Sequence, residues 1–211
     1  MTSVRIGPAA PVAAALLVVL TVLVATHVTD GFDRAVQQQL VPSWNQSHQV
    51  ISDIPDYVAP KVQVVLFAVL VGLLSLLRRS WIPLLVGGLL AGSTVAAVLA
   101  VKRIVPRVDT GQHISGAGSF PSGHMATTVM TVGGLLILLV PRTTWWQWLL
   151  VALIALGMAG CLLYGDIHWT TDILGGALLG CMMLGLVCAI PGRTGLTERR
   201  PAAGRPPGTA D

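Results

Sequence analysis

Long apolar runs alternate with short polar breaks along this chain. Six runs are long enough to be read as membrane crossings, near residues 9–28, 58–77, 81–101, 122–140, 147–165 and 171–191. A helix needs about 20 apolar residues to cross the hydrocarbon core. The pattern therefore predicts an all-α protein, a six-span transmembrane helical bundle. It forms one domain over residues 1–192, followed by a disordered, basic cytoplasmic tail over 193–211 that is rich in Pro, Gly, Ala and Arg. The first run has only Arg5 ahead of it, is about twice the length of a signal-peptide core and lacks a clear small-residue cleavage site, so it reads as a retained span. The stretch 29–57 is too polar to span. Phe32, Val36 and Leu40 recur there at helical spacing, and Trp44 is placed to anchor at headgroup level, so the stretch reads either as a short interfacial helix or as a solvated loop.

Composition supports the membrane reading. The 211 residues are 54% hydrophobic and 10% charged, against about 25% charged in soluble domains. The net charge is +4, but the basic residues lie at span ends and in the tail rather than in one stripe, which excludes a nucleic-acid partner. Cys161, Cys181 and Cys188 sit inside apolar runs and read as small buried residues, with neither disulfide nor metal spacing.

Basic residues also orient the spans. Arg5, Arg78, Arg79, Arg142 and the tail arginines fall on one side, which the positive-inside rule makes cytoplasmic. Both termini are then cytoplasmic in a multi-pass cell-membrane protein. Trp145, Trp146 and Trp148 mark that interface. The opposite side holds the acidic 29–57 segment (Asp30, Asp33, Asp53, Asp56), the 102–121 loop and the 166–170 turn. Lys102, Arg103 and Arg107 lie there against the rule, which points to a local task such as holding an anion.

Two polar patches on that outer side carry candidate chemistry: Pro121-Ser122-Gly123-His124 and His168-Trp169-Thr170-Thr171-Asp172. Ionisable groups at the ends of spans are a functional hypothesis by default. His168 and Asp172 are four apart and share a helix face. A carboxylate on one imidazole nitrogen fixes the tautomer and frees the other for attack, although a buried His–Asp hydrogen bond alone is as often structural. Gly123 lets backbone approach a ligand. Ser122 and the N–H groups of a helix start can cradle an anion, with His124 facing it as proton donor. Lys102 and Arg107 bring positive charge to the same side.

With these motifs the chain resembles the type 2 phosphatidic acid phosphatase superfamily, which includes lipid phosphatases, glucose-6-phosphatase and vanadium haloperoxidases. Its second motif, Pro-Ser-Gly-His, is intact at 121–124, and the His-x3-Asp part of its third motif is intact at His168 and Asp172. The resemblance runs from about Gln63 to Cys188. It implies an integral membrane lipid phosphatase, its active site at the extracytoplasmic interface, acting on a phosphorylated lipid of the outer leaflet. His168 would form a phosphohistidine. Asp172 would orient it, and His124 would protonate the leaving alkoxide and then activate water. Lys102, Ser122, the Gly123 N–H and the nearby Arg107 would hold phosphate. No metal or other cofactor is required.

Two departures set this chain apart. The first motif, Lys-x6-Arg-Pro, places arginine seven residues after Lys102, where Asp109 stands. The Ser-Arg pair of the third motif falls on Cys161 and Leu162. Arginine holds phosphate bidentately, which lysine cannot copy. Three explanations follow: Arg103 and Arg107 substitute from the loop; Asp109 and Asp166 contact a cationic or polyhydroxy headgroup or recruit a cation; or the chain binds lipid without turnover. A phosphotransferase using a hydroxyl acceptor is the nearest enzymatic alternative. A transporter subunit is disfavoured by the lack of charges at mid-membrane. His113 and the glycine-bearing 111–118 run read as a flexible, solvated mouth, and His27 and His48 as loop or interfacial residues. Oligomeric state is open at this level.

Overall fold

The computed structural model describes residues 8–41, 46–110 and 118–189, with side chains in the second stretch from Val50 onward. The readings of Arg5, Trp44, His113, residues 111–117 and the 193–211 tail, and of the His48 side chain, fall outside them. The described residues form eight helices and no strands: α1 (Ala9–Ala25), α2 (Asp30–Leu40), α3 (Gln46–Tyr57), α4 (Pro60–Arg78), α5 (Ile82–Ile104), α6 (Gly123–Leu139), α7 (Trp145–Tyr164) and α8 (Thr170–Ala189).

Each of the six apolar runs becomes a helix, but not six equal ones. Four helices (α4, α5, α7, α8) are long and apolar enough to cross a membrane, five if α1 and α2, bent by 90° at their junction, count as one span. α1 and α6 have 17 residues each, about 26 Å at 1.5 Å per residue. Both are shortened by polar chemistry. α1 stops at Ala25, where Thr26 to Thr29 turn the chain into the charged α2. α6 begins only after Ser122, whose buried Oγ accepts from Met125 N at 3.4 Å as an N-cap.

The polar 29–57 stretch is helical in two pieces, α2 and α3, rather than a plain loop. Asp30 and Asp33 sit in the first turn of α2, where carboxylates suit the helix dipole. Phe32 and Leu40 are exposed, as an interfacial face would be. Prolines at the first turns of α4 and α5 start those helices without losing a hydrogen bond, and a Thr144–Gln147 capping box starts α7.

α8 is the central element, packed along α1 and α6. Glycines make the approach possible. A methyl group at Gly180 would sit 2.8 Å from Val129 Cβ, and one at Gly185 2.7 Å from Ala10 Cβ. At Gly176 it would run into the Ser122 carbonyl. Small residues at helix contacts are the usual way membrane bundles gain packing, because lipid supplies no hydrophobic drive between helices. Phe67, Leu90, Met130, Leu162 and Leu179 fill the interior, while Val65, Leu76, Leu85, Leu153 and Leu156 face outward, as lipid contact requires. The cysteines are free thiols; Cys181 is exposed, against the expectation that all three are buried.

Candidate active site

The end of α5, the start of α6 and the start of α8 meet at one end of the bundle, capped by α2. All seven sequence-expected residues lie there. Ser122 N donates to the Asp172 carbonyl at 2.9 Å, which ties the Pro-Ser-Gly-His turn to α8. The rings of His124 and His168 stand edge to face with centroids 5.8 Å apart. His168 Nδ1 faces Asp172 Oδ2 at 3.6 Å, too long for a hydrogen bond, and is buried without a partner. His124 Nε2 is likewise buried and unpartnered. His124 also hydrogen-bonds the Pro55 carbonyl, so the nitrogen that does so is Nδ1. Pro55 offers that carbonyl because α3 ends at Tyr57 and Ala59 N turns to Asp56 O instead. The last carbonyls of a helix have no intrahelical partner.

The cationic groups are engaged differently from expectation. Lys102 Nζ donates to the Gly118 and Ser119 carbonyls and so braces the turn before Pro121. Arg107 was expected at the phosphate, but its nitrogens meet carboxylates. Nη1 donates to Asp172 Oδ1 at 2.8 Å and Thr171 Oγ1 at 2.7 Å; Nη2 donates to Asp33 Oδ2 at 2.6 Å and approaches Asp30 Oδ1 at 3.5 Å. The guanidinium also lies 5.4 Å from the Trp169 ring centroid, within cation–π range. Burial works against its charge, but Asp172 and then the bonds to Asp33 raise its pKa above the ordinary arginine value. Arg103 is exposed at the end of α5.

At Gly123 an added Cβ would meet Pro60 Cγ at 3.5 Å and Val98 at 3.9 Å, ordinary contacts. Internal packing does not demand glycine there. Leu162, where the family motif has arginine, is completely buried in the apolar core. Asp166 is braced rather than simply solvated. Its carboxylate accepts from Gln37, its carbonyl from Thr110, and its φ of 55° is the left-handed conformation that aspartate tolerates. Among the described residues no group of three or more His, Cys, Asp or Glu could hold a metal ion.

Sequence reasoning missed Asp33, Thr171, Gln37 and Pro55. A signal for the α2 contributors existed: Asp30, Asp33 and Gln37 follow i, i+3, i+7 spacing, a polar stripe beside that of Phe32, Val36 and Leu40. All three reach the site.

Residues 99–195 match the family model described as the PAP2 superfamily, which bears out the resemblance read from the motifs. The fold is similar to the crystal structure of a transmembrane PAP2-type phosphatidylglycerolphosphate phosphatase from Bacillus subtilis. The TM-score is 0.72 at 22% identity, covering 84% of this chain and 94% of the other. Comparison with curated proteins gives no significant match.

Proposed function

We propose, from this PAP2 match and the site it encloses, that the chain is an integral membrane lipid phosphatase that cleaves a phosphate ester on an outer-leaflet lipid through a phosphohistidine. The observation that carries the reading is the meeting of His168, Asp172 and His124 at one end of the bundle, with a helix start opening beside them. His168 Nε2 attacks phosphorus and the P–O bond to the lipid breaks. His124 enters this step as the imidazolium, with Nδ1–H on the Pro55 carbonyl, gives its Nε2 proton to the departing alkoxide and is left neutral. Water then attacks phosphorus, His124 takes its proton, and the N–P bond breaks to release phosphate. Asp172 supports the positive imidazole during the intermediate. Ser122 and the N–H groups at the start of α6, that of Gly123 included, receive the phosphate oxygens. Lys102 holds the surrounding turn and adds charge, and Arg107 contributes its field from behind Asp172.

In this reading the six apolar helices cross the membrane with both termini cytoplasmic and the site outside. Helix direction supports it. Arg78 and Arg79 end α4, and Arg142 follows α6, both at the bundle end opposite the site. Phosphatidylglycerol phosphate is a first candidate substrate, since the similar structure carries that activity in its name. Polyprenyl phosphates or diphosphates, phosphatidic acid and prenyl-linked sugar phosphates remain on the same panel. Transfer of the phosphoryl group to a lipid or sugar hydroxyl would use the same intermediate.

The test is phosphate release from that panel by purified protein in detergent, beside His168→Ala. Activity abolished in the variant supports the reading; comparable release by both proteins refutes the phosphohistidine. Folded wild-type protein that releases nothing favours an acceptor-dependent transferase or a lipid binder.

A further inference from the structure

Asp33 is the most deeply buried charged group that the proposed chemistry does not use. It comes from α2, a segment outside the matched family region of 99–195. It has no exposed surface, like Asp172, and Arg107 between them is 9% exposed. Its contacts are complete. Oδ2 accepts from Arg107 Nη2 at 2.6 Å and from Thr171 Oγ1 at 2.6 Å, and Oδ1 accepts from Thr171 N at 3.0 Å. One carboxylate therefore caps the start of α8 and grips the guanidinium that grips Asp172.

Charge bookkeeping gives this arrangement a purpose. Arg107 against Asp172 alone would be a neutral pair, and a neutral pair does little for a positive imidazole. Fully buried Asp33, with the part-exposed Asp30 at 3.5 Å from Arg107, returns the cluster to a net negative charge. In a site of low polarity charge interactions of this kind are screened less than in water. The geometry follows the same logic. Asp172 Oδ1 is pinned by Arg107 at 2.8 Å, and Oδ2, which also accepts from Trp169 N at 3.3 Å, faces His168 Nδ1 at 3.6 Å. Burying three charges is costly unless all are hydrogen-bonded, and here each carboxylate is. A bridge useful only for stability would be equally well served by apolar side chains.

We infer that Asp33 is a positioning residue for the phosphohistidine chemistry, fixing Arg107 so that Asp172 faces His168 with its negative charge uncancelled. The inference rests on the phosphatase reading for its effect on turnover, but its electrostatic part can be read without any substrate. The charged groups facing the histidines are Asp172 on α8, Lys102 on α5, Asp56 on α3, and Asp30, Asp33 and Arg107 beyond Asp172. The variants below alter only Asp33, Arg107 or the uncharged Thr171.

The experiment follows the imidazole of His168 by NMR in ¹⁵N-histidine-labelled full-length protein in detergent, assigned with His168→Ala, together with kcat and KM on the best lipid phosphate. Asp33→Asn keeps the side-chain shape and removes the charge. It should shift the His168 ring ¹⁵N resonances, because the carboxylate facing that ring loses its fixed position, and reduce kcat by about tenfold with KM within about twofold. Asp33→Asn with Arg107→Gln removes one charge of each sign, and the His168 resonances should return toward wild type. Unchanged His168 resonances in Asp33→Asn overturn the inference while leaving the phosphatase reading intact. A wild type that releases no phosphate defeats the phosphatase reading, and the resonances still decide the role of Asp33. If Asp33→Asn does not fold, Thr171→Val decides: it removes the hydroxyl shared by Asp33 and Arg107 without altering charge. Loss of kcat at constant KM supports the role, and wild-type kcat overturns it.

Discussion

Gly176 holds the two halves of the site together, and replacing it with alanine should pull them apart. It lies one turn past Asp172 on α8, against the Ser122 turn of α6. An added methyl would meet the Ser122 carbonyl, Met125 Cβ at 3.0 Å and Ala126 N at 3.2 Å. These atoms cannot yield easily. The Ser122 carbonyl accepts from Ala126 N in the first turn of α6, and Ser122 N is bonded to the Asp172 carbonyl. Carbon contacts relax at about 3.5–4.0 Å, so α8 must recede by about 0.5–1 Å. Overpacking of this kind costs about 1–3 kcal/mol. The larger effect is on chemistry. His168 and Asp172 would move away from Ser122 and His124, and a misplacement of about 1 Å can cost about 10²-fold in rate. We expect Gly176→Ala to lower kcat by about ten- to a hundredfold and to lower the unfolding temperature in detergent. Gly160→Ala is the control: nothing lies within 4 Å of its added methyl. That variant should gain about 0.4–1 kcal/mol through the unfolded chain and keep full activity. Phosphate release and thermal unfolding, measured on both proteins, check the argument. Gly176→Ala with wild-type kcat and unfolding temperature would refute the close-packing account of the site.

Three further outcomes are expected. His124→Ala should lose most activity on lipids with poor leaving groups and least on an aryl phosphate; equal losses across a leaving-group series would contradict an acid role. Leu162→Arg, which restores the family's arginine, should lower the unfolding temperature, because the side chain it replaces has no exposed surface and a buried unpaired charge is costly; a gain in stability would show that the guanidinium finds the site. Arg107→Lys should reduce kcat by about tenfold, since one ammonium cannot span Asp172 and Asp33 as the planar fork does. The Arg107 pKa is raised on folding, so its stabilising contribution is complete below the ordinary arginine value and lost only as pH rises through the still higher folded value. A change in the wild-type to Arg107→Lys stability difference between pH 6 and 9 would contradict that assignment.

Local sequence was enough for the helices and for the two polar motifs that the fold brings together. Apolar runs report membrane helices because lipid rewards continuous hydrophobic length, and all six runs are helical here. His168 and Asp172 share a face because four residues make about one turn. Ser122 caps α6 because a hydroxyl at that place satisfies a free N–H. The acidic 29–57 stretch was harder. Its polar stripe was present, but a charged face on a short helix usually faces water, and nothing local distinguishes Asp33 buried from Asp33 solvated.

Tertiary structure alone decided what those carboxylates meet. Asp33 reaches Thr171 across 138 residues and Arg107 across 74. The meeting depends on the 90° bend between α1 and α2 and on the glycine seam that lets α8 lie close to α1 and α6. The same packing turned Arg107 from an expected phosphate contact into the bridge between two acids. It also brought the Pro55 carbonyl to His124. Sequence sets which groups are costly to bury. Only the packed bundle determines which partner removes that cost.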